Sequence, residues 1–213
     1  MQDLSLEMAK AVRRFEPIET EGLTLYPIQV KDIDEFTTAR PAIEFMQQSL
    51  PVAMLSKPLL QSYYTLELDA AKTGQPGSGL FYKCILFLLL AMRVGNGLPA
   101  EKRIELVDLE LQANDPTRLK SVLIFVNGEV KRITPMQFQR LRPILAAQNG
   151  IELVSENANP ELVQAERDLA EMNAPKLQHR VDALKATVAT LSGADESDME
   201  EWPILKLLLR RDA

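Results

Sequence analysis

The chain has a single cysteine, Cys84, and a single histidine, His179. One cysteine excludes an intrachain disulfide and fits a reducing cytoplasm. One histidine without a cysteine cluster cannot build a metal site alone. His179 lies in a polar helical segment and reads as a solvated side chain. Basic charge is also in deficit. Lys and Arg number 24 against 30 Asp and Glu, giving a net charge of −6 and a pI near 5.0. That balance argues against nucleic-acid binding by phosphate neutralisation.

No apolar run approaches the roughly 20 residues of a membrane-spanning helix. The N-terminal MQDLSLEMAKAVRRFE has no basic start leading into an apolar core and a small-residue cleavage site, so no signal peptide is expected. Neither G-x-S-x-G nor H-E-x-x-H occurs. In KTGQPGSG, Lys72 precedes the glycines and no Lys–Ser/Thr pair follows them, so this is a surface loop, not a phosphate cradle. The acidic run Asp195–Glu201 lacks the alternating ligands and central glycine of a calcium loop. No pair of carboxylates is singled out for acid–base work. The reading is therefore non-enzymatic, with no catalytic, cofactor-binding or metal-ligating residue. Internal repeats and low-complexity tracts are also absent.

The dominant feature present is Leu80–Val94, LFYKCILFLLLAMRV, the most apolar stretch of the chain. Lys83 and Arg93 bound its core, Cys84–Met92. An apolar run of this length predicts a helix buried on nearly all faces of a globular core. Cys84 within it reads as a small core hydrophobe. A chain of 213 residues, 46% hydrophobic and 25% charged, can bury such a core without disulfides or metals.

Around that helix, Leu4, Met8, Ala11, Val12 and Phe15 recur at helical spacing. Pro17–Thr20 and Leu23–Ile28 predict a small hairpin turning at Glu21–Gly22. Asp32 is placed to cap a helix through Ile33, Phe36, Ala39, Ile43 and Met46, with Pro41 kinking or breaking it. Ser56 is placed to cap a second helix carrying Leu59, Leu60, Tyr63, Tyr64, Leu66 and Leu68, with Pro58 in its first turn. Gly95 is the expected C-terminal cap of the buried helix. Ile104–Leu111 alternates imperfectly, predicting a strand with a bulge. Arg118–Val126, Asn127–Gly128 and Glu129–Ile133 predict a tight hairpin. Thr134–Pro135 opens a helix with the apolar face Met136, Phe138, Leu141, Ile144 and Leu145, stopping near Asn149–Gly150.

The last third is more polar. Pro160–Met172 is helix-prone; Val181, Leu184, Val188 and Leu191 mark an amphipathic helix ending at Gly193; WPILKLLLRR predicts a final short one. The fold class is α+β and mainly helical, with small β-hairpins packed on a helical body. Residues 1–152 form that body, with the buried helix at 80–94, and 153–213 form a helical C-terminal region. Trp202, Ile204, Leu205, Leu207, Leu208 and Leu209 crowd eight positions, more than one helical face can bury unless it is clamped on two sides. Trp202, Ile204, Leu205 and Leu208 are accordingly the candidate partner-binding residues; the competing reading is a helix that closes its own core.

The order of segments resembles a family of tail assembly chaperones encoded by long-tailed bacteriophages and prophages of Gram-positive hosts. The resemblance begins at PIETEGLTLYPIQVKDIDEF, with Gly22-Leu23, Leu25 and Tyr26-Pro27-Ile28 in its opening pattern, and continues through SLPVAMLSKPLLQSYYTLE and LFYKCILFLLLAM. Its most specific part is LIFVNGEVKRITPMQFQRLRPILAAQNGIEL, through Phe138, Leu141, Ile144 and Gln148–Asn149. NPELVQAERDLAEMNA and the segment from His179 to Arg211 extend it to nearly the whole chain. Near the end, EEWPILKLL stands where the family tends to have a threonine and an aromatic pair. The resemblance implies a chaperone that coats a hydrophobic tape-measure protein and hands it over as tail-tube protein polymerises. It further implies possible self-association, a longer frameshifted form, and no nucleic-acid or membrane partner. The alternative is a structural virion component, a tail-completion or head–tail connector protein.

Overall fold

The computed structural model describes residues 5–153, 165, 177–192, 196–204 and 206. Apart from Ala165, the predicted helix over Pro160–Met172 lies outside them, as does the end of WPILKLLLRR.

Helix α1 (Leu6–Arg14) is capped by Ser5, whose hydroxyl accepts from the Met8 amide at 3.3 Å. It ends where Phe15 turns left-handed (φ 58°), so Phe15 closes the helix instead of extending it. Strands β1 (Ile18–Thr20) and β2 (Leu23–Leu25) pair antiparallel about Glu21–Gly22. Both turn residues have positive φ, 52° and 75°, as a type I′ hairpin requires.

Helix α2 (Ile33–Glu44) runs on through Pro41. The proline sits in the closing turns, where few backbone bonds remain to be lost. The carbonyls left free there are taken by side chains of other helices. Tyr63 Oη donates to Ala42 O at 2.6 Å, and Arg142 donates to Ile43 O and Phe45 O at 2.9 and 2.6 Å. A guanidinium at a helix C-terminus also opposes the negative end of the dipole.

Helix α3 (Leu59–Thr73) begins without the expected cap: Ser56 is not used, and the N-cap residue is Pro58. Its first amide is satisfied from a distant helix, because Gln139 Oε1 accepts from Leu59 N at 3.2 Å. Helix α4 (Leu80–Ala91) is the predicted central helix, and every residue from Cys84 to Met92 is buried. It packs chiefly on α2, with Phe36 and Phe87 ring centroids 5.9 Å apart. The cap is Met92 with Arg93 left-handed (φ 54°), not Gly95. Val94 N donates to Leu89 O and Arg93 N to Leu90 O, the paired bonds of a Schellman ending. The Arg93 guanidinium lies 4.4 Å from the centre of the Tyr26 ring, a contact that anchors the side chain of this left-handed residue.

A short helix, α5 (Ala100–Ile104), takes the start of the segment predicted as strand, and β3 (Val107–Gln112) begins only after it. β4 (Asp115–Val126) and β5 (Glu129–Ile133) complete an antiparallel sheet ordered β3-β4-β5. The predicted bulge lies between Glu110 and Leu111, where the register jumps from Ser121 to Leu119. Asn127 and Gly128 (φ 50° and 82°) make the tight turn. Gln61 of α3 joins the sheet through its side chain, donating to Thr117 O and accepting from Leu119 N.

Helix α6 (Pro135–Gln148) opens with a full capping box between Thr134 and Gln137. Phe138, Leu141, Ile144 and Leu145 are buried as expected, whereas Met136 is 56% exposed and leaves the predicted apolar face. Gln148 and Asn149 are buried because they hold the first hairpin in place. Gln148 Nε2 donates to Leu25 O (3.1 Å), and Asn149 Oδ1 accepts from Ile28 N (2.9 Å). Helix α7 (Leu177–Ser192) touches α2, and Val188, Met199 and Ile204 enter the same core as α4. The fold is thus α+β and mainly helical, with one two-stranded and one three-stranded antiparallel sheet among the described residues.

Candidate partner-binding surface

The segment after α7 begins with a 3-10 turn, Glu196–Glu201, and then lies against Ile28–Lys31. Gln29 and Pro203 form an antiparallel bridge. Val30 N donates to Trp202 O at 2.8 Å and Ile204 N donates to Ile28 O at 3.0 Å. Side chains reinforce the contact: Gln29 Nε2 donates to Glu201 O and Oε2, and Lys31 Nζ donates to Glu201 Oε1 at 2.7 Å. Lys185 of α7 pairs with Glu200.

This clasp decides where the four candidate residues stand. Ile204 is buried in the core of its own chain, in keeping with the reading in which this segment closes that core, and is not open to a partner while the clasp holds. Trp202 is half-buried, with Lys206 Nζ 3.9 Å from its ring centre. Leu205 and Leu208 lie outside the described residues. The signal missed in the sequence is the alternation of polar and apolar residues over Ile28–Lys31, too short to read as a strand.

The hydrogen bond from Lys31, with a second from Gln29, holds the Glu201 carboxyl below the usual carboxylate range. A lowered carboxylate pKa stabilises the folded form above its ordinary value near 4.5, and that contribution is lost as the pH falls through the folded value. Glu201→Gln is therefore expected to speed amide exchange at Val30 and Ile204 at neutral pH. Wild type should show a change in emission of Trp202, the only tryptophan, on acidification below that value, and the variant should show less. Equal exchange in the two proteins would remove Glu201 from the clasp.

Two further surfaces are accessible. A cleft of about 650 Å³ lies between the first hairpin, the end of α4 and the three-stranded sheet, lined by Leu23, Tyr26, Arg93, Leu106, Phe125, Glu129 and Lys131 among others. Elsewhere, Val52 (84% exposed) opens a 3-10 turn, Val52–Met54, that Leu55 follows, and Gln47 Nε2 donates to Leu55 O. Gln139 Nε2 reaches Gln47 Oε1, and exposed Met136 is one helical turn before Gln139. Three large apolar side chains are thereby carried on neighbouring elements joined by glutamine bridges.

Cys84 is fully buried, and desolvation pushes its thiol well above the ordinary range, so it behaves as a core side chain. Among the described residues, no three His, Cys, Asp or Glu residues cluster to hold a metal, and no helix is long and apolar enough to cross a membrane. Comparison with protein-family models, curated proteins and solved structures returns no match.

Proposed function

We propose that this chain is a non-enzymatic phage tail assembly chaperone that binds and solubilises a tape-measure protein in the host cytoplasm while the tail tube assembles. The observation that carries the reading is the exposure of large apolar side chains outside the core: Val52, Leu55 and Met136, on elements bridged by Gln47 and Gln139, and Leu6, 72% exposed, on α1. Apolar side chains grouped on a surface suit a partner that presents apolar helical segments. A net charge of −6 would keep the complex dispersed. The resemblance in segment order supports the same reading from another direction. Its most specific residues, Phe138, Leu141, Ile144, Gln148 and Asn149, are all buried, so they hold the scaffold and the partner must meet other residues.

The test is co-expression with the longest predicted coiled-coil protein encoded just downstream, measuring its soluble fraction and co-purification. The expected result is a soluble, co-purifying partner, with both properties reduced by a Val52→Ser/Met136→Ser double variant. A partner that stays insoluble while this protein elutes alone would overturn the reading. Recovery of the chain in purified particles would favour a structural virion role instead.

A further inference from the structure

Strand β5 is an edge of the three-stranded sheet. In a two-residue hairpin, the residues flanking the turn form a hydrogen-bonded pair, here Val126 and Glu129. By alternation, Glu129, Lys131 and Ile133 bond to β4, and the amides and carbonyls of Val130 and Arg132 point away from it. The same alternation on β4 directs the Phe125 amide to β3, where it donates to Leu106 O at 3.0 Å. Among the described residues, no backbone group takes the outward bonds of Val130 and Arg132. The edge also carries apolar surface: Val130 is 52% exposed and stands opposite Phe125, 45% exposed, on the outer face. Unpaired edge strands of this kind are templates for another strand.

We propose that this edge pairs with the same edge of a second copy, antiparallel about a two-fold axis through Val130, joining two three-stranded sheets into one of six. Charge selects the occupant and the register. A two-fold axis perpendicular to the sheet keeps each residue on its own face, so only a residue of the same parity can lie opposite. Centring on Glu129, Lys131 or Arg132 sets like charges directly against each other. Centring on Val130 sets Glu129 opposite Lys131 of the second copy, twice, in the non-hydrogen-bonded positions where side chains come closest. On the other face it sets Val130 against Val130, extending the Phe125–Val130 pair into a four-residue apolar row. Within one chain Glu129 and Lys131 already pair at 2.8 Å, which places them on one face. The dimer closes this pair into a ring of four alternating charges. This interface follows from strand geometry and charge, and is independent of the chaperone reading.

Light-scattering mass measurement across a concentration series provides the test. Wild type is expected to reach twice the 23.9 kDa chain mass. Lys131→Glu is expected to remain at one chain mass, and the reversed pair E129K/K131E to return to two. Amide exchange on wild type supplies a readout that needs no variant: Val130 and Arg132 should become protected as concentration rises, while Glu129 should be protected throughout. A wild-type protein that stays monomeric with fast exchange at Val130 overturns the proposal and leaves the edge to an extended segment of another protein. A dimer indifferent to Lys131→Glu overturns it as well.

Discussion

Asp32→Ala is expected to destabilise the protein by about 3–5 kcal/mol, the cost of stranding a buried guanidinium. Arg103 is only 2% exposed, yet its charge lies among Leu98, Gly95 and the turn that precedes α2. Its Nη2 donates to Asp32 Oδ1 at 2.8 Å and its Nε to Leu98 O at 2.9 Å, while Nη1 has no partner among the described residues. Removing the carboxylate leaves one backbone carbonyl to solvate a whole cation. Attraction within such a pair roughly offsets the desolvation of both charges, so deleting the pair costs far less than breaking it. The double variant D32L/R103M should accordingly lose much less than the sum of its single variants. Urea unfolding of all four proteins measures this coupling, and additive losses would refute it.

Phe87→Ala should cost a similar amount, about 3–5 kcal/mol, for a different reason. Phe87 is fully buried at the centre of α4 and meets Phe36 of α2. The substitution removes most of the ring's transfer free energy and leaves a cavity between two helices that cannot both move inward. Leu6→Ser on α1 serves as the contrast, since Leu6 is largely exposed and surface changes stay within about 0.5 kcal/mol. A chemical-denaturation midpoint for Phe87→Ala close to that of Leu6→Ser would mean that α4 is not the organising element of the core.

The central helix was legible in the sequence because nine consecutive residues, Cys84–Met92, leave no polar face to turn outward. Both hairpin turns were legible too, since Gly22 and Asn127–Gly128 are residues that tolerate positive φ. The Thr134–Gln137 capping box needs only residues three apart. In each case the energetics are settled within one turn of chain, so local sequence suffices.

The corrections share the opposite property. Asp32 stands at the N-cap position of α2 as expected, but it makes no side-chain capping bond and gives its carboxylate to Arg103, 71 positions away. Ser56 was expected to cap α3, but that amide is satisfied by Gln139. Gly95 was expected to close α4, but Arg93 takes the left-handed position with Tyr26 beneath it. Met136 is the exception: it was counted in the apolar face of α6, but helical spacing sets it roughly 150° around the helix from the centre of Phe138, Leu141, Ile144 and Leu145, and it is exposed.

The candidate surface divides the same way. The crowding of apolar residues from Trp202 onward was visible in the sequence; the burial of Ile204 by Ile28–Lys31 was not. By itself the sequence determined most of the described elements, both hairpin turns and which helix is central, though not the short helix α5. Only the tertiary structure decided which distant side chain completes each helix end, which apolar residues stay exposed and which strand is left as an edge. Helix ends and buried charges demand a partner without specifying which one. Whichever group the fold brings within about 3 Å meets that demand, and sequence distance has no part in it.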